Sequence, residues 1–314
     1  MYYIGIDLGG TTIKGGIVTE EGKIIKSKCY PTFPQRDGNE IIKSIADLTL
    51  ELINEEKIDL KEIHCVGIGA PGLVDSKNKL IVTSSNINFI NNNVEKEMKK
   101  YIDLPIYLEN DANCATIAEF VCGSMKGYNN GIMITIGTGI GGGIILDGKL
   151  AKGSYLGEGE LGHTIVDYSS GGYCGCGQKG CLETFCSANS IIKYAKELLK
   201  DNRDSKILQL AESFDDINAK NIFDAYDLKD EIATRVIERF NGYLAIGIVN
   251  FINIFRPDVI SIGGGASARG EALTKPIEDI AQKMIYGGGF KTKIVPAILG
   301  NDAGIIGAAM ISKA

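Results

Sequence analysis

Apolar residues along this 314-residue chain fall into short Ile- and Val-rich runs bounded by glycine, interleaved with stripes of helical spacing. That alternation predicts an α/β protein. Tyr2 to Asp7 reads as a strand, Leu8-Gly9-Gly10-Thr11-Thr12 as a turn, and Ile13 to Thr19 as a second strand ended by Glu21-Gly22. Asp37 with Glu40 has the spacing of a capping box, and Ile41, Ile45, Leu48 and Leu52 continue as an amphipathic helix up to Asn54. Ile63 to Gly69 is a buried strand running into Ala70-Pro71-Gly72, where the glycine lets backbone approach a ligand. Ile106 to Glu109 is a further strand, and Asn110-Asp111-Ala112-Asn113 opens a helix that stops at Gly123.

Gly131 to Ile136 repeats the opening pattern: a strand, then Gly137-Thr138-Gly139-Ile140-Gly141-Gly142-Gly143, then Ile144 to Leu146 and the hairpin signal Asp147-Gly148. Residues 188–199, 205–211 and 229–255 read as helices, the last ended by Arg256-Pro257. Val259 to Ile262 is a buried strand that ends in Gly263-Gly264-Gly265. Residues 272–285 read as a helix, 292–299 as a strand and 302–311 as a final helix of small residues.

A chain of this length holds two domains, each with its own core. The uncharged apolar stretch Gly131 to Leu146 is glycine-rich and too short to span a bilayer, so no membrane partner is expected. A net charge of −6 and the lack of any Lys/Arg run argue against a nucleic-acid surface. The amino terminus shows no basic leader, and the eight cysteines follow no disulfide framework; both fit a cytoplasmic protein.

Three of those cysteines break the pattern. Cys174, Cys176 and Cys181 lie among Gly, Gln and Lys, and His163 lies just upstream. Together they supply four ligands for a tetrahedral zinc, which would be structural because no coordination position stays open. The ion would fix Glu160 and Glu183, which bracket the cluster. A redox pair is the competing reading; a Cys174–Cys176 disulfide would close a strained ring. Cys29, Cys65, Cys114, Cys122 and Cys186 stand among apolar neighbours and read as small buried hydrophobes. His64, alone at a strand start, reads as a packing or surface residue.

The two glycine tips read either as ordinary turns or as phosphate cradles, where backbone N–H groups and Thr hydroxyls meet phosphate oxygens and Asp7 holds magnesium or its waters. Gly137, Gly139 and Gly142 match G-x-G-x-x-G, but the chain returns as a strand where a dinucleotide fold needs a helix, so that match is rejected; no P-loop motif occurs. Asp111, at a strand-to-helix junction, is either the helix N-cap or a carboxylate at the sheet edge where α/β proteins bind ligands.

Asp7-Leu-Gly-Gly-Thr-Thr12, Gly69-Ala-Pro-Gly72, Glu109-Asn-Asp-Ala-Asn113, Gly137 to Gly143, Glu160-Leu-Gly-His163 and Cys174-x-Cys176-Gly-x-x-Gly-Cys181-x-Glu183 occur in one order. In this the chain resembles the ROK family of sugar kinases and repressors, from residue 4 onward, and most of all its glucose-phosphorylating members. The resemblance implies the actin-like ATPase fold, in which two ribonuclease-H-like domains flank an interdomain cleft. It places an N-terminal domain at 1–115, with 302–314 packing back on it, and a larger domain carrying the zinc loop at 116–301.

The implied activity is ATP- and magnesium-dependent phosphorylation of a hexose at its 6-hydroxyl. Asp111 would be the catalytic base. Asp7, Gly9, Gly10, Thr11, Thr12 and Lys14, with Gly137, Thr138 and Gly139, would hold phosphates and their metal; Gly264 and Gly265 would lie near the adenosine. Gly72, Asn86, Asn110, Asp111, Glu160, His163 and Glu183 would bind sugar hydroxyls, and His163, Cys174, Cys176 and Cys181 would bind structural Zn2+. Relatives with these motifs act on N-acetylmannosamine, N-acetylglucosamine or fructose, and a non-catalytic sugar sensor is the alternative of another class. The family's glucose kinases often carry a Trp shortly after the position of Asn86, where this chain has Phe89. The repressor alternative is weak because the Asp7 motif begins almost at Met1 and the chain is acidic. A homodimer or homotetramer is expected.

Overall fold

The structure, a computed structural model, describes every residue except Ser85 and Arg203. In chain order the elements are β1 (Tyr2–Leu8), β2 (Thr12–Thr19), β3 (Ile24–Pro31), α1 (Gly38–Glu56), β4 (Ile63–Ala70), β5 (Leu73–Asp75), β6 (Leu80–Thr83), β7 (Ile90–Asn93), α2 (Val94–Met98), β8 (Ile106–Asn110) and α3 (Asp111–Val121). They continue as β9 (Gly131–Ile136), β10 (Ile140–Leu146), β11 (Lys149–Leu150), α4 (Glu183–Cys186), α5 (Ala188–Leu199), α6 (Lys206–Leu210), α7 (Ala219–Asp227), α8 (Glu231–Phe255), β12 (Val259–Gly264), α9 (Glu271–Met284), β13 (Lys293–Pro296) and α10 (Ala303–Met310). Two compact units emerge: residues 1–133, 143–159 and 297–314 form the first, and 134–142 and 160–296 the second. The boundary expected at 115/116 falls inside α3, which stays whole in the first unit because it packs on α10.

The first unit is built on the sheet β3-β2-β1-β4-β8, antiparallel from β3 to β1 and parallel from β1 to β8. Alternate residues of β1 enter different cores: Ile4 and Ile6 join Ile41, Ile45 and Leu48 of α1, whereas Tyr3 joins Ile117 of α3 and Ile305 of α10. Helices thus cover both faces, as a sheet with parallel strands requires. Strands β5 to β7 form a separate small antiparallel sheet.

Helix α10 lies almost backbone on backbone. A methyl group built on Gly67 would overlap the Ala308 carbonyl, one on Gly5 the Ile305 carbonyl, and one on Gly307 the Cys114 carbonyl. Glu119 ties the same region down: its buried carboxylate accepts from the N–H groups of Ile298 (2.9 Å), Leu299 (2.8 Å) and Ser124 (2.7 Å). Gly67→Ala is expected to lower stability by about 2 kcal/mol or more, since the clash is with backbone rather than with a flexible side chain. Denaturant unfolding reads this directly, and an unchanged midpoint would mean that the helix shifts freely.

In the second unit β12 and β13 pair in parallel. Helix α8, buried along most of its length, is the spine: Phe185 stacks on Tyr243 at 3.8 Å between ring centroids, and Leu182 packs on Gly247. The sheet β11-β10-β9-β12-β13 includes β9 and β10, whose residues run from one unit into the other.

Several expectations differ from the structure. Asp37 caps α1 by accepting from Asn39 N–H at 2.8 Å, and no reciprocal bond from Glu40 makes it a capping box. Strand β3, the small sheet and α7 carry mixed, half-exposed patterns that apolar periodicity does not flag. The strand expected over 292–299 is only four residues long. Cys29 is exposed rather than buried, because β3 alternates on an edge of the sheet; Cys65, Cys114 and Cys186 are buried as expected. His64 is a surface residue whose ring lies 5.2 Å from that of Tyr3. Among the described residues no helix is long and apolar enough to cross a membrane.

Candidate active site

Within the first unit, the hairpin of β1 and β2 closes through Gly9 N–H donating to the Thr12 carbonyl at 2.9 Å. Thr32 braces the tip: its hydroxyl donates to the Gly9 carbonyl (2.7 Å) and its N–H to that of Thr11 (2.9 Å). Such bracing holds the turn in a fixed shape. Asp7 pairs across the hairpin with Lys14. Burial pushes the Asp7 carboxyl up from its ordinary range, and the Lys14 charge opposes that. Gly304 leaves the space that this carboxylate fills. Asn86 is exposed and borders Gly10: a methyl on Gly10 would sit 3.6 Å from Asn86 Cβ.

The junction of β8 and α3 shows which residue caps the helix. Asn110, not Asp111, is the N-cap: its Oδ1 accepts from the N–H groups of Ala112 (2.9 Å) and Asn113 (3.2 Å). Asp111 is the first helical residue, exposed, in the turn where the helix dipole favours a carboxylate. Asn110 Nδ2 also reaches the Gly72 carbonyl at 3.3 Å. Gly72 has φ of 97°, and a side chain there would strike the Thr83 carbonyl, so glycine is needed at this turn. Gly72, Asn110 and Asp111 are therefore neighbours.

In the second unit, Gly137 N–H donates to the Gly139 carbonyl (3.0 Å), and Ala188 N–H at the head of α5 holds the Gly137 carbonyl (2.9 Å). The chain returns directly as β10, which excludes a dinucleotide fingerprint. Glu183 lies under this turn: Ile140 N–H donates to its Oε2 at 2.9 Å, and a side chain on Gly139 would collide with it. Its Oε1 stands 3.4 Å from Cys174 Sγ. One carboxylate thus joins the glycine turn to the cysteine cluster, and sequence spacing does not reveal that link. Thr138, Cys174, Glu183, Lys193, Tyr194 and Arg239 are among the residues around a cavity of about 410 Å³. Gly264 and Gly265 are exposed at the end of β12, where the Ser267 hydroxyl bonds the Gly264 carbonyl at 2.8 Å.

His163, Cys174, Cys176 and Cys181 converge, with all four ligand atoms within 4.8 Å of one another; among the described residues this is the group of metal-ligand type. Cys174 Sγ is 3.4 Å from His163 Nδ1, and Cys176 Sγ is 3.7 Å from Cys181 Sγ. A tetrahedral zinc with Zn–S of about 2.3 Å and Zn–N of about 2.0 Å spaces sulfurs about 3.8 Å apart and sulfur from nitrogen about 3.5 Å apart. The cluster therefore fits such an ion. Burial pushes the Cys174 and Cys181 thiols up, whereas the Gln178 amide pulls Cys176 down. A divalent cation supplies the charge that three adjoining thiolates need. Every cysteine is a free thiol, which leaves no disulfide at this site. Nδ1 of His163 faces the cluster, so Nε2 points outward, 3.9 Å from Oε2 of the half-exposed Glu160.

Two glycine-tipped hairpins in two α/β units, a carboxylate at a helix head and a Cys/His cluster behind a third acid define an actin-like ATPase fold with a sugar-kinase type of site. The chain belongs to the ROK family, whose sequence model matches residues 3–314. It is 36% identical to the glucokinase of Thermotoga maritima over 312 residues, 99% of this chain and 96% of that one. It is 34% identical to the glucokinase of Halalkalibacterium halodurans over 317 residues, 99% of this chain and 95% of that one. The crystal structure of a ROK family glucokinase from Streptomyces griseus, in complex with glucose and AMPPNP, superposes with a TM-score of 0.83 at 32% identity, covering 98% of each chain.

Proposed function

We propose that the protein is an ATP-dependent glucokinase that transfers the γ-phosphoryl group to the 6-hydroxyl of D-glucose. Asp111 accepts the proton of that hydroxyl as the oxygen attacks phosphorus. The observation that carries this role is at the head of α3: Asn110 performs the capping, so the exposed Asp111 carboxylate is not needed as the helix cap. Phosphoryl transfer asks the protein for in-line positioning, charge neutralisation and one proton acceptor, and little else.

In this reading Gly72, Asn86, Asn110, Asp111, Glu160, His163 and Glu183 hold sugar hydroxyls. The braced turns Gly9 to Thr12 and Gly137 to Gly139 offer N–H groups to phosphate oxygens, with Lys14 and Asp7 beside the first, and Gly264 and Gly265 flank the adenosine. Magnesium, when bound with ATP, neutralises phosphate charge; the chain offers it Asp7 rather than a full protein cage, as is usual for nucleotide-carried magnesium. His163, Cys174, Cys176 and Cys181 hold zinc, which when bound fixes the loop and the His163 tautomer. Free thiols and an ATP substrate fit the cytoplasm.

Substrate choice follows from pairing. A site that matches each hydroxyl penalises an epimer by leaving a buried polar group unmatched, about 1 to 3 kcal/mol or more for charged groups. A coupled ADP assay is expected to give glucose a kcat/KM at least about tenfold above mannose, fructose, N-acetylglucosamine and N-acetylmannosamine, or about 1.4 kcal/mol. A tenfold preference for another of these sugars would replace glucose while keeping the kinase, and turnover of none would remove both.

A further inference from the structure

Next to the Asn110–Asp111 pair lies Glu109, whose carboxylate is only 2% exposed as a residue. Its oxygens accept from Asn110 N–H (2.9 Å), Asn113 Nδ2 (3.0 Å) and the Ser76 hydroxyl (2.9 Å). Two of these donors belong to residues flanking Asp111. Asn113 follows Asp111 by two residues in the first turn of α3, and Asn110, just before it, caps the helix while bonding the Gly72 carbonyl. The position of Glu109 therefore sets the backbone on which Asp111 is mounted.

Burying a carboxylate is costly unless a cation pairs with it. The partner is Lys152, whose Nζ pairs with Glu109 Oε2 and also reaches the Ser76 hydroxyl (3.4 Å) and Glu158 (3.8 Å). Lys152 comes just after β11, in the glycine-rich stretch that leads toward Glu160, and its own side chain is 46% exposed. An exposed lysine that reaches in to a buried acid is poorly explained as a surface ion pair. Without that cation Glu109 Oε2 is freer to swing outward, and such a movement weakens the acceptor that Asn110 N–H and Asn113 share.

We propose that Lys152 is a positioning residue for phosphoryl transfer: its ammonium holds the Glu109 carboxylate in place, and Glu109 holds the Asn110–Asp111 junction. This rests on the kinase reading above. The test is a double-mutant cycle with Lys152→Met and Glu109→Gln, together with Lys152→Arg. Lys152→Met is expected to lower kcat about 10- to 100-fold, as a displaced catalytic group does, with the KM for ATP within about twofold. Lys152→Arg, which keeps the cation, should recover most of the loss. The double variant should be no more than about threefold worse than Glu109→Gln, because the lysine acts through the charge that is already gone. Near-normal kcat in Lys152→Met, a Lys152→Arg no better than Lys152→Met, or losses that multiply in the double variant would each overturn the proposal. Should Lys152→Met not fold, Lys152→Gln carries the same comparison with a neutral donor. Wild-type turnover in the same assay tests the kinase reading separately; a wild type that turns over no hexose overturns both.

Discussion

Asp111→Asn is expected to lower kcat by about 10²- to 10⁴-fold, the usual worth of a positioned general base. The substitution is nearly isosteric. Asn110 remains the N-cap of α3, so the helix and the Asn110–Gly72 bond should stay as they are. The KM for glucose should change far less than kcat, because an amide still bonds the sugar but cannot take its proton. Steady-state kinetics with glucose and ATP measure both, and a melting temperature unchanged from wild type excludes misfolding as the cause. Near-normal turnover in the variant would reduce Asp111 to a first-turn acid that merely favours the helix dipole.

Removing the metal is expected to have the next largest effect, on the sugar rather than on the nucleotide. Elemental analysis should find about one zinc per chain, as four ligands around one ion imply. Chelation, or Cys176→Ser at the exposed ligand, should raise the KM for glucose by about tenfold or more, the usual penalty for loosening the support of a site residue. The reason is local: His163 has one nitrogen toward the cluster and the other toward Glu160, so an ion bound there would set the ring that both share. The KM for ATP should move less. Ile140 N–H keeps Glu183 Oε2 under the Gly139 turn whatever happens at Cys174. Activity unchanged in protein shown to be free of zinc would assign the cluster to redox chemistry or to packing.

How far the chain could be read in advance depends on what kind of interaction fixed each part. Both glycine-tipped hairpins, α5 and the long helix α8 were legible because hydrophobic period and turn residues are local signals. The small sheet β5 to β7 was not, since its strands carry Asn-rich, half-exposed stretches that only tertiary pairing holds extended. The convergence of His163 with three cysteines followed from spacing, and the structure brings them together. The cap was harder: Asn110 and Asp111 are both good capping residues, and only the backbone decides which precedes the first turn. Lys152 was invisible, because its partner Glu109 lies 43 residues earlier and no motif links a lysine after a hairpin to an acid at a strand end. Glu183 was expected to read sugar hydroxyls, but its bond to Ile140, which ties it to the Gly137–Gly139 turn, exists only in three dimensions.

The backbone-close seat of α10 bears on how the protein is made. The groove formed by Gly5 on β1 and Gly67 on β4 is synthesised early, but the helix that fills it spans residues 303–310. Until those residues leave the ribosome, the first unit presents an open face with Tyr3, Val18 and Ile117 uncovered, while nearly all of the second unit has already emerged. A nascent chain in that state is the aggregation-exposed kind that chaperones hold. A chain that ended before residue 303 would lack the strip that covers Tyr3, Val18 and Ile117 on its earliest sheet.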